Sequence, residues 1–271
     1  MKRITLFFIV MMLLVFGCSK KSEVKAKDVG KKQNVETEYK MYMLQQVPFS
    51  KNLADLEKLG KVDFGKSVKN YVEYTPKSLD RISFKLGSDI ADALVCLKAK
   101  DKKSLLKITK NLLSYGETLG ISKEFLVMSI TLKPLIDAEK WDQIEQKLEE
   151  YRGRIISELY KMKSFDYVTL VQCGGWVKGL EDVGFLLLEL PKSEEASKIL
   201  YNKVMIGALS HDMGNLNDDL QTKEYIKTSI SNVKILRTLI FTNEKETFSK
   251  DEIQKMHKLA KEITVAFAKE I

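Results

Sequence analysis

The feature that most constrains the fold is the spacing of apolar residues between Trp141 and Met162. Seven apolar residues follow one another there in steps of three or four: Trp141, Ile144, Leu148, Tyr151, Ile155, Leu159 and Met162. This spacing places all seven on one face of an α-helix. The positions between them are mostly Glu, Lys and Gln, so the segment predicts a helix at the surface of a bundle.

The same spacing recurs from Phe49 to the end of the chain, and we find no alternating strand pattern of useful length. Glycine and proline, which interrupt helices, are sparse, with 14 and 4 residues among 271. We therefore predict an all-α protein, an irregular multi-helix bundle of about nine antiparallel helices joined by short connections.

Residues typical of helix ends give provisional boundaries. Thr75 followed by Pro76 predicts a helix start, with the helix running to about Lys100. Other signals are an N-cap at Asp101, a stop at Gly120, a start at Ser122 before Pro134, and a capping box of Ser249 with Glu252. Further helices are expected at 62–74, 164–190, 193–209, 220–241 and 250–269.

One segment, DAEKWDQIEQKLEE, has the helix and turn lengths of a tetratricopeptide repeat. With Trp141 as the tryptophan of that repeat, Glu145, Ser157 and Lys161 stand where Gly, Ala and Phe are required. No fixed period extends along the chain. A tetratricopeptide array is therefore not predicted.

The first 18 residues, MKRITLFFIVMMLLVFGC, have the pattern of an export signal. Lys2 and Arg3 precede the apolar run 4–16, which is about 13 residues long and too short for a membrane span. With Gly17 before Cys18, the segment resembles the signal peptide of bacterial lipoproteins. Beyond it, the chain has only a general likeness to helical bacterial lipoproteins, which implies no activity.

This resemblance implies a signal peptide at 1–17 and a lipidated N-terminal Cys18. Ser19 after the cysteine favours an outer-membrane position facing the periplasm over the inner membrane, if the source has two membranes. Residues 18–38 are rich in Lys and poor in apolar residues, so we expect a flexible tether before a single all-helical domain at 39–271. The alternatives are an ordinary signal peptide cut elsewhere and an uncleaved short anchor.

Charge and composition bear on the partners. The formal net charge is +8, and +6 without residues 1–17. The Lys residues are interspersed with Glu and Asp rather than gathered into a stripe with aromatic residues, so we expect no nucleic-acid partner. A solvated surface of mixed charge is the simpler interpretation, and anionic lipid headgroups or cell-wall polymers are the partners that an exported basic protein would meet.

Cys96 and Cys173 both stand in apolar helical segments. In an oxidising compartment they could pair as a disulfide, or remain two buried thiols that pack as small apolar side chains. Neither has a second Cys or His at ligand spacing, so no metal site is predicted.

Gly174 and Gly175 lie inside a predicted helix, where each costs about 1 kcal/mol relative to Ala. Close contact with a neighbouring helix would offset that cost. A second hypothesis is a groove in which a ligand or peptide lies against bare backbone. Its residues would be Tyr167, Gln172, Gly175, Trp176 and Gly179.

The stretch ALSHDMGNLNDDL around His211 predicts a loop at 211–219. Its Ser-His-Asp opening resembles the phospho-acceptor box of sensor histidine kinases, but no glycine-rich ATP-binding region follows. Its oxygen-bearing side chains suggest a calcium loop, although Leu220 and Ile226 stand where an EF-hand counted from Asn215 needs Gly and Glu. A polar turn between helices is the remaining interpretation.

No cofactor motif is found, and with only His211 and His257 a histidine-based catalytic site has few residues to draw on. The Asp and Glu residues are expected on solvent-facing positions. The leading hypothesis is a membrane-anchored envelope lipoprotein that acts as a non-catalytic helical binding or scaffold module for an envelope protein or peptide. The alternative is an envelope enzyme, such as a wall-glycan hydrolase with an unrecognised carboxylate pair.

Overall fold

The computed structural model describes residues 49–60, 62–122 and 131–269, which belong to one compact unit. These residues form twelve α-helices and no strand, so the prediction of an all-α multi-helix fold is confirmed. Four of the twelve helices have six residues or fewer, which explains why about nine were predicted. The predicted signal peptide, Cys18, the tether and residues 39–48 lie outside the described residues.

The helices are numbered here in chain order. The first six are α1 (Phe49–Lys58), α2 (Phe64–Val68), α3 (Leu79–Lys98), α4 (Lys102–Thr118), α5 (Leu132–Asp137) and α6 (Trp141–Lys161). The second six are α7 (Phe165–Leu188), α8 (Ser193–Ala196), α9 (Lys203–Gly214), α10 (Asp218–Thr222), α11 (Glu224–Thr242) and α12 (Lys250–Ala268). A single 3₁₀ turn, Ser197–Leu200, follows α8.

Two helices, α3 and α7, form the centre of the fold and pack against each other more extensively than any other pair described. Every residue of α3 from Asp80 to Leu97 is buried, and α7 is buried over most of its length. Helix α4 covers α3, α12 covers α7, and α11 packs against both α9 and α12. Helix α6 contacts α3, α5 and α7.

The glycines explain how α3 and α7 approach so closely. A Cβ atom added at Gly174 would lie 2.0 Å from the carbonyl oxygen of Phe84, and one added at Gly87 would lie 1.9 Å from that of Val171. No side chain fits at either place, because backbone stands on the other side. Close helix contact, the first explanation offered by the sequence for Gly174, is therefore the one the structure supports.

The predicted apolar faces lie on the core. In α12 the apolar residues at helical spacing are fully buried, namely Ile253, Met256, Ala260, Ile263 and Phe267. In α6 the stripe from Ile144 to Leu159 is buried while Met162 is exposed. Three of the predicted helix ends are confirmed. Asp101 accepts from the Ser104 backbone, Ser249 and Glu252 form the capping box, and Gly120 takes a positive φ of 76°.

Several predicted boundaries are wrong. Of the helix expected at 62–74 only α2 is helical, and the next helix begins after Ser78 rather than at Thr75. The helix expected at 193–209 is two pieces separated by Tyr201 and Asn202. Asn202 caps the second piece by accepting a hydrogen bond from the Met205 backbone, so a new helix starts there. The helix expected at 220–241 is likewise divided into α10 and α11.

A pair of glycine substitutions tests the central helix contact. Gly174→Ala should lower the free energy of unfolding by about 3 kcal/mol or more, because the new methyl group meets backbone that must move. Gly153→Ala is the control: this glycine lies inside α6 with no atom within 4 Å of the added Cβ. That change should raise stability by about 0.5–1 kcal/mol.

Urea unfolding of both variants, followed by circular dichroism, makes the comparison. Equal stability of Gly174→Ala and the unmodified protein would show that α3 and α7 do not approach as described.

Candidate functional site

The five residues of the predicted groove do not line one common opening. A Cβ atom at Gly179 would lie 2.8 Å from the ring of Phe49, and one at Gly175 would lie 3.4 Å from the carbonyl oxygen of Gly87. Both glycines therefore face the chain's own α1 and α3. Gln172 is buried, and Trp176 and Tyr167 are half-buried.

Cys96 and Cys173 are both buried free thiols. Burial raises the pKa of each thiol, so the reactive thiolate is disfavoured. Neither side chain has the exposure or the lowered pKa that reactive cysteines require.

The region around His211 is more helical than predicted, because α9 continues to Gly214. His211 Nε2 lies 3.0 Å from the amide nitrogen of Asn215. Asn217 caps α10 by accepting from the Leu220 backbone, and its own amide donates to Asp166. These contacts fit a polar connection between helices. Within residues 49–60, 62–122 and 131–269, no group of His, Cys, Asp and Glu side chains is placed to hold a metal ion.

A cluster of buried charges lies where α3 and α7 cross, and the expectation that Asp and Glu occupy solvent-facing positions is wrong for it. Four carboxylates and two ammonium groups are buried together: Lys85, Asp89, Asp92, Lys178, Glu181 and Asp182. We call these six residues the buried charge cluster. Charges this deep are stable only when they are paired and hydrogen-bonded.

Lys178 is the central residue of the part of the buried charge cluster that α7 contributes. Its Nζ lies 2.8 Å from Asp182 Oδ1, 3.5 Å from Asp92 Oδ1 and 3.6 Å from Glu181 Oε1. The hydroxyl of Ser67 also donates to Asp182 Oδ1 at 2.9 Å, and Thr264 donates to Glu181. One ammonium group thus joins α7 to α3, and hydroxyls from α2 and α12 add two hydrogen bonds, while Asp182 Oδ2 has no hydrogen-bond partner among the described residues.

Lys85 is held differently. Its Nζ lies 2.5 Å from Asp89 Oδ1 and donates to the backbone carbonyl of Val72 at 3.1 Å. The rings of Tyr71 and Tyr74 lie 4.4 and 5.0 Å from the same nitrogen, close enough for cation–π attraction. Lys85 therefore holds the segment between α2 and α3 against the cluster.

The cavity beside the cluster is small. Its volume is about 20 Å³, enough for roughly one water molecule. It is lined by residues of α3 and α7 together with Val72, Tyr74 and Thr264. No sugar or peptide substrate can enter a space of this size.

Burial shifts the pKa values of the carboxyl groups in the cluster. Burial raises the pKa of Asp92 to about 6 and that of Asp182 to about 7, against the attraction of Lys178. Burial also raises the pKa of Asp89, against the attraction of Lys85. For Lys178 burial acts to lower the pKa, but the three neighbouring carboxylates outweigh it and the pKa is raised.

The sequence contains a charge pattern that indicates this cluster, although neither composition nor helical periodicity reveals it. Lys85 with Asp89 and Lys178 with Asp182 have the same i,i+4 spacing, each inside an otherwise apolar helix. Lys85 and Asp89 stand on either side of Gly87, and Lys178 follows Gly174 by four residues. Charge pairs beside small residues in two long apolar helices would have predicted that the helices meet there.

A second feature is an open groove of about 530 Å³ at the N-terminal ends of α3 and α7, here called the Phe165 groove. Its apolar side chains include Leu79 and Phe165, which are 41% and 49% exposed, and the half-buried Tyr167. Lys163 and Asp219 at its edge form no ion pair with any described residue. Its volume is in the range of small-ligand sites.

The edges of the Phe165 groove are fixed by polar contacts. Lys223 Nζ lies 2.8 Å from Asp80 Oδ2, and Asp166 accepts both the backbone and side-chain N–H groups of Asn217. These pairs join α3 to α11 and α7 to α10. The apolar side chains therefore lie between two polar edges.

Comparisons with protein families, curated proteins and solved structures gave no match to this chain. Among the helices that the structure describes, none is both long enough and apolar enough to span a membrane.

The buried charge cluster predicts an unusual pH dependence of stability. Asp92 and Asp182 bind protons more tightly in the folded state than in the unfolded state, so the free energy of unfolding should fall as pH rises from about 5 to about 7. The change should be on the order of 2 kcal/mol. Asp182→Asn should flatten this dependence, whereas Asp219→Asn, at an exposed position, should leave it unchanged.

Urea unfolding at pH 5, 6, 7 and 8 measures the dependence. A stability that rises with pH over this interval, or an Asp182→Asn variant with the same slope as the unmodified protein, would contradict the assignment.

Proposed function

We propose that this chain is a lipid-anchored, non-catalytic binding module of the cell envelope, whose Phe165 groove holds a short peptide segment of an envelope protein. The observation that carries the binding site is an apolar floor with two partly exposed side chains, Leu79 and Phe165, held between polar walls. An apolar side chain of the peptide would cover the floor.

Charge supports a peptide over a purely apolar ligand. Lys163 and Asp219 offer one positive and one negative group at the groove edge. A peptide can pair with both charged groups through its backbone and its charged side chains, whereas a lipid acyl chain can pair with neither. Tyr167 adds a hydroxyl and a ring, the combination that is enriched at peptide and protein contacts.

The anchor in this proposal comes from the N-terminal sequence. Lys2 and Arg3, the apolar run, Gly17 and Cys18 support export and lipidation, and Ser19 supports an outer-membrane position facing the periplasm if the source has two membranes.

The alternative, a wall-glycan hydrolase, gains little from the buried carboxylates. Asp92 and Asp182 have raised pKa values, as general acids in such enzymes do. However, a glycosidase places two carboxylates on either side of a bound sugar. The cavity beside the cluster holds about 20 Å³, so the observed arrangement favours a structural role for these residues.

The lipid anchor is tested by labelling cells with radioactive palmitate. The unmodified chain should take up label and fractionate with membranes, while Cys18→Ser should do neither. Cys96→Ser is the matched control and should keep the label, because a buried thiol does not meet the acylating enzymes. Label retained by Cys18→Ser, or none in the unmodified protein, would contradict the anchor.

The Phe165 groove is tested with a photo-crosslinking amino acid placed at position 165 in living cells. A discrete crosslinked protein should form there and not from position 59, where Leu59 is 54% exposed outside the groove. Tyr167→Ala should lower the crosslinking yield about five-fold or more, as expected for an aromatic contact residue.

Tyr201→Ala, a change to a half-buried tyrosine elsewhere, should leave the yield unchanged. The same crosslinked species from positions 165 and 59, or a yield insensitive to Tyr167→Ala, would exclude the groove as the binding site.

A further inference from the structure

One face of α11 carries a repeating pattern of cations and apolar side chains. Lys227, Ile230, Lys234, Arg237 and Phe241 follow in steps of three and four, so they fall within an arc of about 80°. None of the five is acidic. The one acidic residue of this helix, Glu224, lies in its first turn.

Helix α9 extends this face with a second apolar element. The ring of Phe241 lies over Gly207, where an added Cβ would be 3.3 Å from its Cζ atom. Val204, one turn before Gly207, is 56% exposed, and Phe241 itself is 38% exposed. The small residue in α9 therefore leaves room for the edge of an aromatic ring from α11, one turn away from an exposed valine.

Two cations lie beside the Phe241 ring. The guanidinium of Arg237 lies 4.5 Å from the centre of the Phe241 ring, and Lys203 Nζ lies 5.9 Å from it. Lys203, Lys234 and Arg237 form no ion pair with any residue that the structure describes. Lys227 approaches Glu224 at 3.8 Å, but both side chains are largely exposed, so that pair neutralises little.

We propose that this face, Lys203 and Val204 of α9 with the five α11 residues, rests on an anionic lipid membrane. We call it the α9–α11 surface. Its four cations complement anionic headgroups, and Val204 and Phe241 enter the interfacial region, as in helices that lie along membranes. The proposal rests on the proposed function only in that the lipid anchor would keep the domain beside such a membrane.

In the linear sequence these cations are interspersed with other residues, so no stripe was predicted. The stripe exists on the folded α11, where residues up to 14 positions apart in the chain share one face. A protein partner would meet the same charges. A lipid surface is favoured because the face is spread along the length of α11 rather than gathered in a pocket, and because all four charged residues within the face are cations.

A fluorescent amino acid sensitive to its environment, placed at position 204 of the full chain, tests contact with lipid. Vesicles containing phosphatidylglycerol should shift its emission to the blue, and vesicles of phosphatidylcholine alone should not. The same probe at position 59 should give no shift. The proposal is overturned if phosphatidylglycerol does not shift the emission of the probe at position 204, or if it shifts the emission of a probe at position 59 equally.

Sedimentation with the same vesicles measures the contribution of charge. Lys227→Glu with Lys234→Glu should lower the partition coefficient at least about 25-fold, since each Lys near an anionic membrane is worth about five-fold. The matched control is Lys103→Glu with Lys110→Glu, two exposed lysines with the same spacing on α4. This pair should leave partitioning nearly unchanged.

All variants carry the same first 18 residues, so differences between them report on the α9–α11 surface. Equal loss in the two double variants would mean that net charge alone drives binding, and would overturn the proposal. If the α9–α11 surface binds vesicles but Cys18 takes up no palmitate, the proposed anchor fails while this inference stands. If Cys18 takes up palmitate but the α9–α11 surface does not bind vesicles, the anchor is supported and the proposed membrane contact is overturned.

Discussion

Contact between the backbones of α3 and α7 is the constraint on which the rest of the structure depends. Gly87 and Gly174 let each helix touch the carbonyl groups of the other, so the two axes cross without intervening side chains. This crossing places Lys178 within reach of Asp92 on the opposite helix. A larger residue at either glycine would separate the helices and leave charges in a dry interior without their partners.

The charge cluster then selects one arrangement of the two helices. Apolar helices can slide or rotate against one another at little cost, because many registers bury similar area. A register that moved α7 by one turn along α3 would keep Lys178 with Asp182 on the same helix but would leave Asp92 without its cation, and an unpaired buried charge costs about 3–5 kcal/mol. Net stabilisation from such clusters is small. Their effect here, we infer, is to make the other registers unfavourable.

Much of this fold could be predicted from the sequence, and the reasons for the failures are physical. The stripes of α6 and α12 and the caps at Asp101 and Ser249 depend on neighbours within a few residues, so local patterns indicated them correctly. The break at Tyr201–Asn202 coincides with a local cap at Asn202 that helical periodicity does not reveal, whereas the extended segment before α3 is held by a distant contact, from Lys85 to the Val72 carbonyl. The buried charge cluster and the Phe165 groove are assembled from segments distant in the chain. For the groove, only Tyr167 stood among the predicted residues.

The position of Phe49 has a mechanical consequence. Its ring fills the space beside Gly179, the residue that follows Lys178 in α7. A pull applied to the chain ahead of residue 49 would therefore reach the central helix directly, beside the ammonium group that holds α3 and α7 in register. In a protein held by its N-terminal end, load would fall first on the buried central helices rather than on the periphery of the domain.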